Sequence, residues 1–113
     1  MASQIIQGHR QIVERARSLG LTVFAGTLSP VEGYPFPGYW SSEFEATRQA
    51  VNAWIRTSHV YDAVIDFDRV LRDPSHPARL LPAYDSGDHV HPNDVGNQAM
   101  ADAVDLALFR EQD

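Results

Sequence analysis

Two short apolar runs, each preceded by a stretch with helical periodicity, constrain the fold of this chain more than any other feature. The runs are LTVFAGTL at 21–28 and YDAVIDFD at 61–68, and both are rich in residues that favour strands. Residues 3–19 and 42–58 repeat apolar side chains with the period of a helix. Because a helix that connects two strands of one sheet makes them parallel, this order predicts an α/β fold with a parallel sheet.

The ends of the predicted helices carry residues with known positional preferences. Gly20 is expected to end the first helix, and Ser42 with Glu45 predicts a capping box at the start of the second. Asn93 is expected to cap a third helix over residues 95–109. The segment between, 72–94, is rich in turn-forming residues.

Three helices accompany only two predicted strands, which leaves both edges of the sheet open. The chain is therefore expected to be one partial domain, residues 1–113, that belongs to a larger sheet. Association with itself or with a companion chain through an exposed edge is the alternative that this pattern leaves open.

The composition excludes several classes of partner and site. The formal net charge is −6, the chain has no lysine, and its nine basic residues are scattered arginines, so no nucleic-acid partner is expected. The absence of cysteine excludes disulfides and thiolate zinc sites. No apolar run approaches the roughly 20 residues of a membrane span, so none is expected. The start, MASQIIQGHRQ, lacks the features of a signal peptide, and the compartment is left open.

The stretch DSGDHVHPND at 85–94 carries the strongest chemical signal. Asp88 precedes His91 by three residues, close enough for its carboxylate to accept a hydrogen bond from Nδ1 and leave Nε2 free. Such a pair is the base and its orienting acid in a hydrolytic triad. Pro92 and Asn93 hold the histidine at a joint between a loop and a helix.

YDSGDHVHPNDVGNQAMADAV, residues 84–104, closely resembles the last block of the SGNH hydrolases, also called the GDSL family. Residues 16–33 and 48–74 are similar to the later αβ units of a carbohydrate-esterase-like branch of that family. The resemblance implies the C-terminal part of a three-layer α/β/α, flavodoxin-like fold with parallel strands. It also implies His91 as general base and Asp88 as its orienter, in ester hydrolysis through an acyl-enzyme.

On the same resemblance, no metal or organic cofactor is expected, and the full-length parent would act on a small ester or an acylated carbohydrate. The family's nucleophilic serine lies in a Gly-Asp-Ser block, and its oxyanion donors lie in that block and two others. None of these blocks occurs here, and Asn52 and Asn97 lie on predicted helices where neither is credible as a donor. The resemblance therefore implies a C-terminal fragment from a truncated or misassigned reading frame, with no nucleophile in this chain and little activity alone.

The same stretch allows other interpretations. Ser86, in DSGD, is predicted to be a turn residue that bonds its own backbone rather than a nucleophile. A metal site would use His89, His91, Asp85 and Asp94, and a solvated polar loop ahead of a helix is the simplest alternative. His89 itself is predicted to be solvated or structural rather than a ligand.

Other residues near the predicted strand ends are assigned to packing or to the surface. Asp66 and Asp68 end the second strand, where support of the site is one interpretation and a place among the surface acids that are common at strand ends is the favoured one. Trp54 is predicted to be core. The loop that follows the first strand is expected to cover the end of the sheet rather than line a substrate cleft, through its four aromatic side chains: Tyr34, Phe36, Tyr39 and Trp40.

Overall fold

Helix α1, Ala2–Ser18, is the first element of the computed structural model, which describes residues 1–110. The helix ends two residues before Gly20, the predicted stop, whose φ of 74° lies in the left-handed region that glycine adopts without strain. The amide of Leu21 then donates to the carbonyl of Ala16 at 2.9 Å and satisfies one of the last free carbonyls of the helix.

The two central strands are parallel neighbours, so the predicted α/β class is confirmed. Strand β1, Phe24–Gly26, pairs with strand β2, Ala63–Ile65, in register from Phe24 opposite Ala63 to Gly26 opposite Ile65. Both are shorter than the predicted runs of eight residues. One further backbone hydrogen bond extends the pairing at each end, from Asp62 to the carbonyl of Val23 and from Thr27 to the carbonyl of Ile65. Side chains accept the next amides: the Val23 amide donates to Asp62 and the Leu28 amide to Asn52, each at 2.8 Å.

Helix α2, Ser42–Thr57, connects the two strands. Its N-cap is Ser41, whose Oγ accepts the amide of Phe44 at 3.0 Å. The predicted capping box of Ser42 and Glu45 is therefore wrong by one position. Glu45 turns along the helix instead and accepts hydrogen bonds from Arg48.

The hydrophobic core lies between α2 and the sheet. Val51 and Ile55 of α2 are fully buried and pack with Ala25 of β1. Trp54 packs against this core as predicted but is only partly buried. The partly buried side chains that surround the core come mainly from α1 and α2: Ala2, Ile5, Trp54 and Tyr61.

The segment after β2 is more ordered than its turn-rich sequence indicates. It contains helix α3, Phe67–Leu71, and an antiparallel hairpin of β3, Arg72–Asp73, with β4, His76–Leu80. Elements of two and five residues are too short to leave a periodic pattern in the sequence, and for that reason they were missed.

The prediction that Asp66 and Asp68 are surface acids is wrong. Asp66 is the N-cap of α3 and accepts the amide of Arg69 at 3.2 Å. Asp68 is fully buried, because three arginine side chains enclose its carboxylate. These donors are Arg48 at 2.5 Å, Arg56 at 2.7 Å and Arg72 at 3.0 Å.

The C-terminal part contains a 3₁₀ turn, Pro82–Tyr84, helix α4, Asp94–Asp102, and a second 3₁₀ turn, Leu106–Phe109. The predicted helix over 95–109 is therefore too long. Asp105 caps the second turn by accepting the amide of Ala107 at 2.9 Å, which separates it from α4.

Across residues 1–110, the longest apolar helical stretches fall short of what a membrane crossing requires.

Candidate active site

The candidate site lies in the segment that joins the first 3₁₀ turn to α4, residues 84–93, here called the site loop. Asn93 ties the two ends of this loop together. Its backbone amide donates to the carbonyl of Tyr84 at 2.7 Å, and its side-chain nitrogen donates to the carbonyl of Ala83 at 2.9 Å. Its Oδ1 accepts the amide of Gly96 at 2.9 Å, so the residue that closes the loop also caps the helix.

Gly96 allows the loop to sit directly on the first turn of α4. A methyl group at this position would lie 2.8 Å from the carbonyl oxygen of Tyr84 and 2.9 Å from Cβ of Pro92. Both distances are shorter than van der Waals contact allows, so the close approach requires glycine. Sequence reasoning missed this role, although a glycine in the first turn of a helix is unusual enough to signal it.

Asp88 and His91 are joined as their spacing predicts. Nδ1 of His91 lies 2.5 Å from Oδ2 of Asp88, and the backbone amide of His91 donates to Oδ1 at 2.8 Å. The amide of Val90 donates to the same Oδ1 at 2.8 Å. The backbone of Val90 and His91 therefore fixes the carboxylate of Asp88, which in turn bonds the His91 ring.

The protonation of this pair follows from the hydrogen bonds. The His91 ring, followed by the amides of His91 and Val90, holds the pKa of Asp88 well below its usual range. An ionised carboxylate can only accept, so in the neutral His91 ring Nδ1 carries the proton and Nε2 carries the lone pair. The His91 side chain is 72% exposed, which leaves Nε2 accessible to a reacting group.

A second aspartate–histidine pair lies in the same loop. Oδ1 of Asp85 accepts the amides of Gly87 at 2.8 Å and His89 at 3.0 Å, and Oδ2 lies 2.6 Å from Nδ1 of His89. Burial raises the pKa of Asp85, but these hydrogen bonds outweigh it and lower the pKa overall. His89 is thus a structural histidine, as predicted, and the part played by Asp85 is one that the sequence did not indicate.

Ser86 lies in the site loop beside the isolated antiparallel bridge of Asp85 with Pro92, and not in a turn as predicted. Its amide donates to the carbonyl of His91 at 3.0 Å, and its hydroxyl donates to Oδ1 of Asp88 at 3.2 Å rather than to its own backbone. The hydroxyl is thus directed at the orienting carboxylate and not at the imidazole, so the structure does not pair Ser86 with the base.

The four residues of the alternative metal interpretation do not form one site. His89 and His91 each bond a different aspartate through Nδ1, and Asp94 begins helix α4. Within the described range of 1–110, no group of three histidine or acidic side chains is arranged to hold a metal ion.

An open cavity of about 520 Å³ lies beside the site loop, between the loop and the β3–β4 hairpin. Glu32 accepts hydrogen bonds from His76 and Arg79 at this edge, each at 2.5 Å. Apolar surface makes up more of the lining than polar surface, although several lining residues are charged or polar: Asp73, His76, Arg79, Asp85 and His89, with Leu80 and Pro82.

In the loop after β1, the side chains of Tyr34, Phe36 and Tyr39 pack on one another. The ring centroids of Tyr34 and Tyr39 lie 4.7 Å apart, and Tyr39 also contacts Phe44 of α2 at 6.0 Å. Packing against neighbouring rings is therefore a role of Tyr34 and Tyr39, whereas Phe36 stays 66% exposed. That the loop covers the end of the sheet stays a prediction.

The fold and the site together define the chain as an α/β protein that carries a carboxylate-oriented histidine at the joint of a loop and a helix. Comparison with family models gives the more specific assignment. The model of the GDSL-like Lipase/Acylhydrolase family matches residues 1–99, which include the whole site loop, and the chain belongs to this family. A search of curated proteins gave no significant match. The expected family is confirmed, and at family level the chain is a hydrolase of ester bonds.

Proposed function

We propose that the site loop supplies the acid–base half of a serine-type esterase site, with His91 as general base and Asp88 as its orienter. The observation that carries this proposal is the pair of hydrogen bonds from the ring and amide of His91 to Asp88, at 2.5 and 2.8 Å. They fix both the tautomer and the direction of the ring, which leaves Nε2 to remove the proton of a nucleophile.

The serine and the oxyanion donors lie, on this proposal, outside residues 1–113, and the chain is the C-terminal part of a three-layer SGNH domain. Support comes from the sequence, which contains no Gly-Asp-Ser block. Asn52 cannot serve as an oxyanion donor, because it is fully buried and both ends of its side-chain amide bond Leu28. Its Oδ1 accepts the amide of Leu28 and its nitrogen donates to the carbonyl of Leu28, each at 2.8 Å. Without a nucleophile and an oxyanion hole, the largest contributions to catalysis are absent.

The direct test is esterase activity of the purified chain on p-nitrophenyl acetate, alongside His91→Ala and Ser86→Ala variants. We expect all three proteins to hydrolyse the ester near the uncatalysed background. Robust turnover that disappears in both variants would show that Ser86 and His91 form a complete site within the chain, and would overturn the proposal.

The assignment of His91 has its own test, which does not depend on turnover. Nitrogen NMR of the imidazole rings reports which ring nitrogen is protonated, and pH 8.5 lies well above the ordinary histidine pKa of about 6.5. We expect neutral His91 to be mainly the Nδ1–H tautomer, whereas free imidazole side chains favour Nε2–H. A predominant Nε2–H tautomer at His91 would contradict its role as a base oriented by Asp88.

For the substrate, we propose an acylated carbohydrate. The support is the resemblance to carbohydrate-esterase-like sequences and the presence of hydrogen-bonding side chains, Asp73 and Arg79, in the cavity beside the site loop. Titration of the labelled chain with an acetylated xylo-oligosaccharide should shift amide signals of the site loop and of β4, and the deacetylated oligosaccharide should shift them less. Equal shifts, or none in the loop, would argue against this substrate class.

A second candidate function is association through the sheet edge. Within residues 1–110 the parallel sheet has only β1 and β2, and apolar side chains beside it are exposed: Leu21 at 56% and Val64 at 37%. Such edges pair readily with other strands. Sedimentation of the chain should then show a dimer that Val64→Lys weakens, and a folded monomer at high concentration would contradict this candidate.

A further inference from the structure

The Asp85–His89 pair has no part in the base chemistry proposed for His91, yet it occupies the centre of the site loop. We propose that Asp85 and His89 are positioning residues that set the orientation of Asp88 and, through it, of His91. This inference rests on the proposed function of His91, and the three arguments for it are the enclosure of Asp88, the backbone of His89 and the contact of His89 with Gly33.

Asp88 lies inside the turn that Asp85 closes. The carboxylate of Asp85 accepts the amides of Gly87 and His89, at 2.8 and 3.0 Å, on either side of Asp88. The next turn begins at once, because Asp88 accepts the amide of Val90 at 2.8 Å. Since the two turns overlap at residues 88 and 89, the backbone that aims the Asp88 carboxylate is the backbone that Asp85 holds.

His89 adopts a backbone conformation that most residues avoid. Its φ of 69° is in the left-handed region, which costs a residue with a side chain free energy unless its surroundings compensate. Asp85 supplies the compensation by bonding both the amide and the ring of His89, at 3.0 and 2.6 Å. Loss of the ring would remove a contact that keeps this conformation and, with it, the overlap of the two turns.

The His89 ring also reaches a second segment of the chain. It lies beside Gly33, where a methyl group would be 3.3 Å from Cδ2 and Cγ of the ring. The neighbouring Glu32 is fixed in turn, because its amide donates to the carbonyl of Ala78 in β4 at 3.0 Å. The ring is thus held between Asp85 and a segment that is anchored to the hairpin. This contact fixes the position of the exposed site loop relative to the rest of the fold.

The test uses the tautomer of His91, measured by nitrogen NMR in the chain of 113 residues. His89→Ala removes the ring, whereas His89→Asn keeps a nitrogen that can donate to Asp85 in place of Nδ1 and tolerates a positive φ. His59→Ala is the matched control, because His59 also has a left-handed backbone, with φ 58°, but lies between α2 and β2.

In His89→Ala we expect the ratio of the Nε2–H to the Nδ1–H tautomer of His91 to rise about threefold or more, the order that loss of one hydrogen bond produces. His89→Asn should recover most of the wild-type ratio, and His59→Ala should leave it unchanged.

A second perturbation uses the other partner of the His89–Gly33 contact: Gly33→Ala should also raise the ratio. Gly38→Ala should not, because Gly38 has φ 77° in the same loop and a methyl there meets nothing within 4 Å.

The possible failures are distinguishable. Wild-type His91 that is mainly Nε2–H would contradict the proposed function itself. A wild-type Nδ1–H tautomer that persists in His89→Ala would overturn the positioning role alone and leave His91 as the base. Loss of the folded spectrum throughout the chain in both His89→Ala and His89→Asn would also overturn it, because the pair would then be a general stabilising contact.

Discussion

Asp88 accepts two hydrogen bonds from a single residue, His91, one from the ring and one from the backbone amide, at 2.5 and 2.8 Å. The carboxylate therefore does not depend on a distant partner to meet the imidazole. The spacing of three residues brings the Asp88 carboxylate within reach of the imidazole, and the hydrogen bond from the His91 amide fixes the direction of the carboxylate. This local closure explains how an arrangement typical of a hydrolytic base can form in a loop whose histidine is 72% exposed.

Asp88→Asn should reverse the tautomer of His91. The amide oxygen can still accept the backbone amides of Val90 and His91, but the side-chain nitrogen that replaces Oδ2 is a donor and opposes a proton on Nδ1. We expect neutral His91 to become mainly Nε2–H, with little change in the urea midpoint because the site is exposed. Nitrogen NMR at pH 8.5 measures the tautomer, and Asp94→Asn in the first turn of α4 is the control. An unchanged tautomer in Asp88→Asn would contradict the orienting role.

The Asp88–His91 contact was predictable from the sequence because both partners lie within four residues of chain. The same holds for the caps of α1 and α4, where Gly20 and Asn93 act locally. The parallel pairing of β1 with β2 followed from the order of elements alone. Local chemistry and topology rules are thus sufficient for the centre of the candidate site and for the class of the fold.

Features that depend on distant partners were not predictable. Asp68 was assigned to the surface because nothing near it in sequence shows that Arg48 of α2 would reach it. Gly33, which contacts His89, is 56 positions from it along the chain, and no local pattern connects the two residues. The first strand was predicted too long for the same reason, since the amide of Leu28 donates to the side chain of Asn52, which belongs to α2.

Gly96→Ala should disturb the site loop where the loop contacts the first turn of α4. Its methyl group would lie 2.8 Å from the carbonyl of Tyr84, which already accepts the amide of Asn93, so the closure of the loop must shift. We expect a loss of roughly 1–3 kcal/mol in the free energy of unfolding, typical of overpacking, and altered NMR signals of His91. Urea denaturation measures the first of these.

Gly8→Ala is the matched control for that experiment. Gly8 is also a helical glycine, in α1, but a methyl there meets nothing within 4 Å. Replacing it should stabilise the chain by up to about 1 kcal/mol through helix propensity. If both alanine variants stabilise the chain, the close approach at Gly96 is not as the structure describes it.

Asp68→Asn should be among the most destabilising single changes in the chain. The residue is fully buried, and Arg48, which is 3% exposed, would keep its charge with one partner fewer. Breaking a buried ion pair from one side costs about 3–5 kcal/mol. Arg79→Gln, which breaks an ion pair of the half-exposed Arg79 with Glu32, should cost about 1 kcal/mol or less. Urea midpoints compare the two variants. Similar losses of unfolding free energy would contradict the larger contribution expected of the buried ion pairs of Asp68.

The contribution of Asp66 to stability should disappear in acid. Burial raises the pKa of Asp66, but hydrogen bonds from Arg56, Thr27 and the amide of Arg69 outweigh it and hold the pKa at about 2. Because the folded pKa is lower than the unfolded value of about 3.9, the ionised form stabilises the fold at higher pH, and this stabilisation is lost as the pH falls from about 4 towards 2. The difference in unfolding free energy between wild type and Asp66→Asn should therefore shrink by roughly 2 kcal/mol over that interval.

Arg56→Gln should remove much of the same pH-dependent difference, since Arg56 donates to Asp66 at 2.8 and 2.9 Å. Urea denaturation at pH 6, 4, 3 and 2.5 follows this change, and a difference that stays constant with pH would show that the charge of Asp66 is not what stabilises the start of α3.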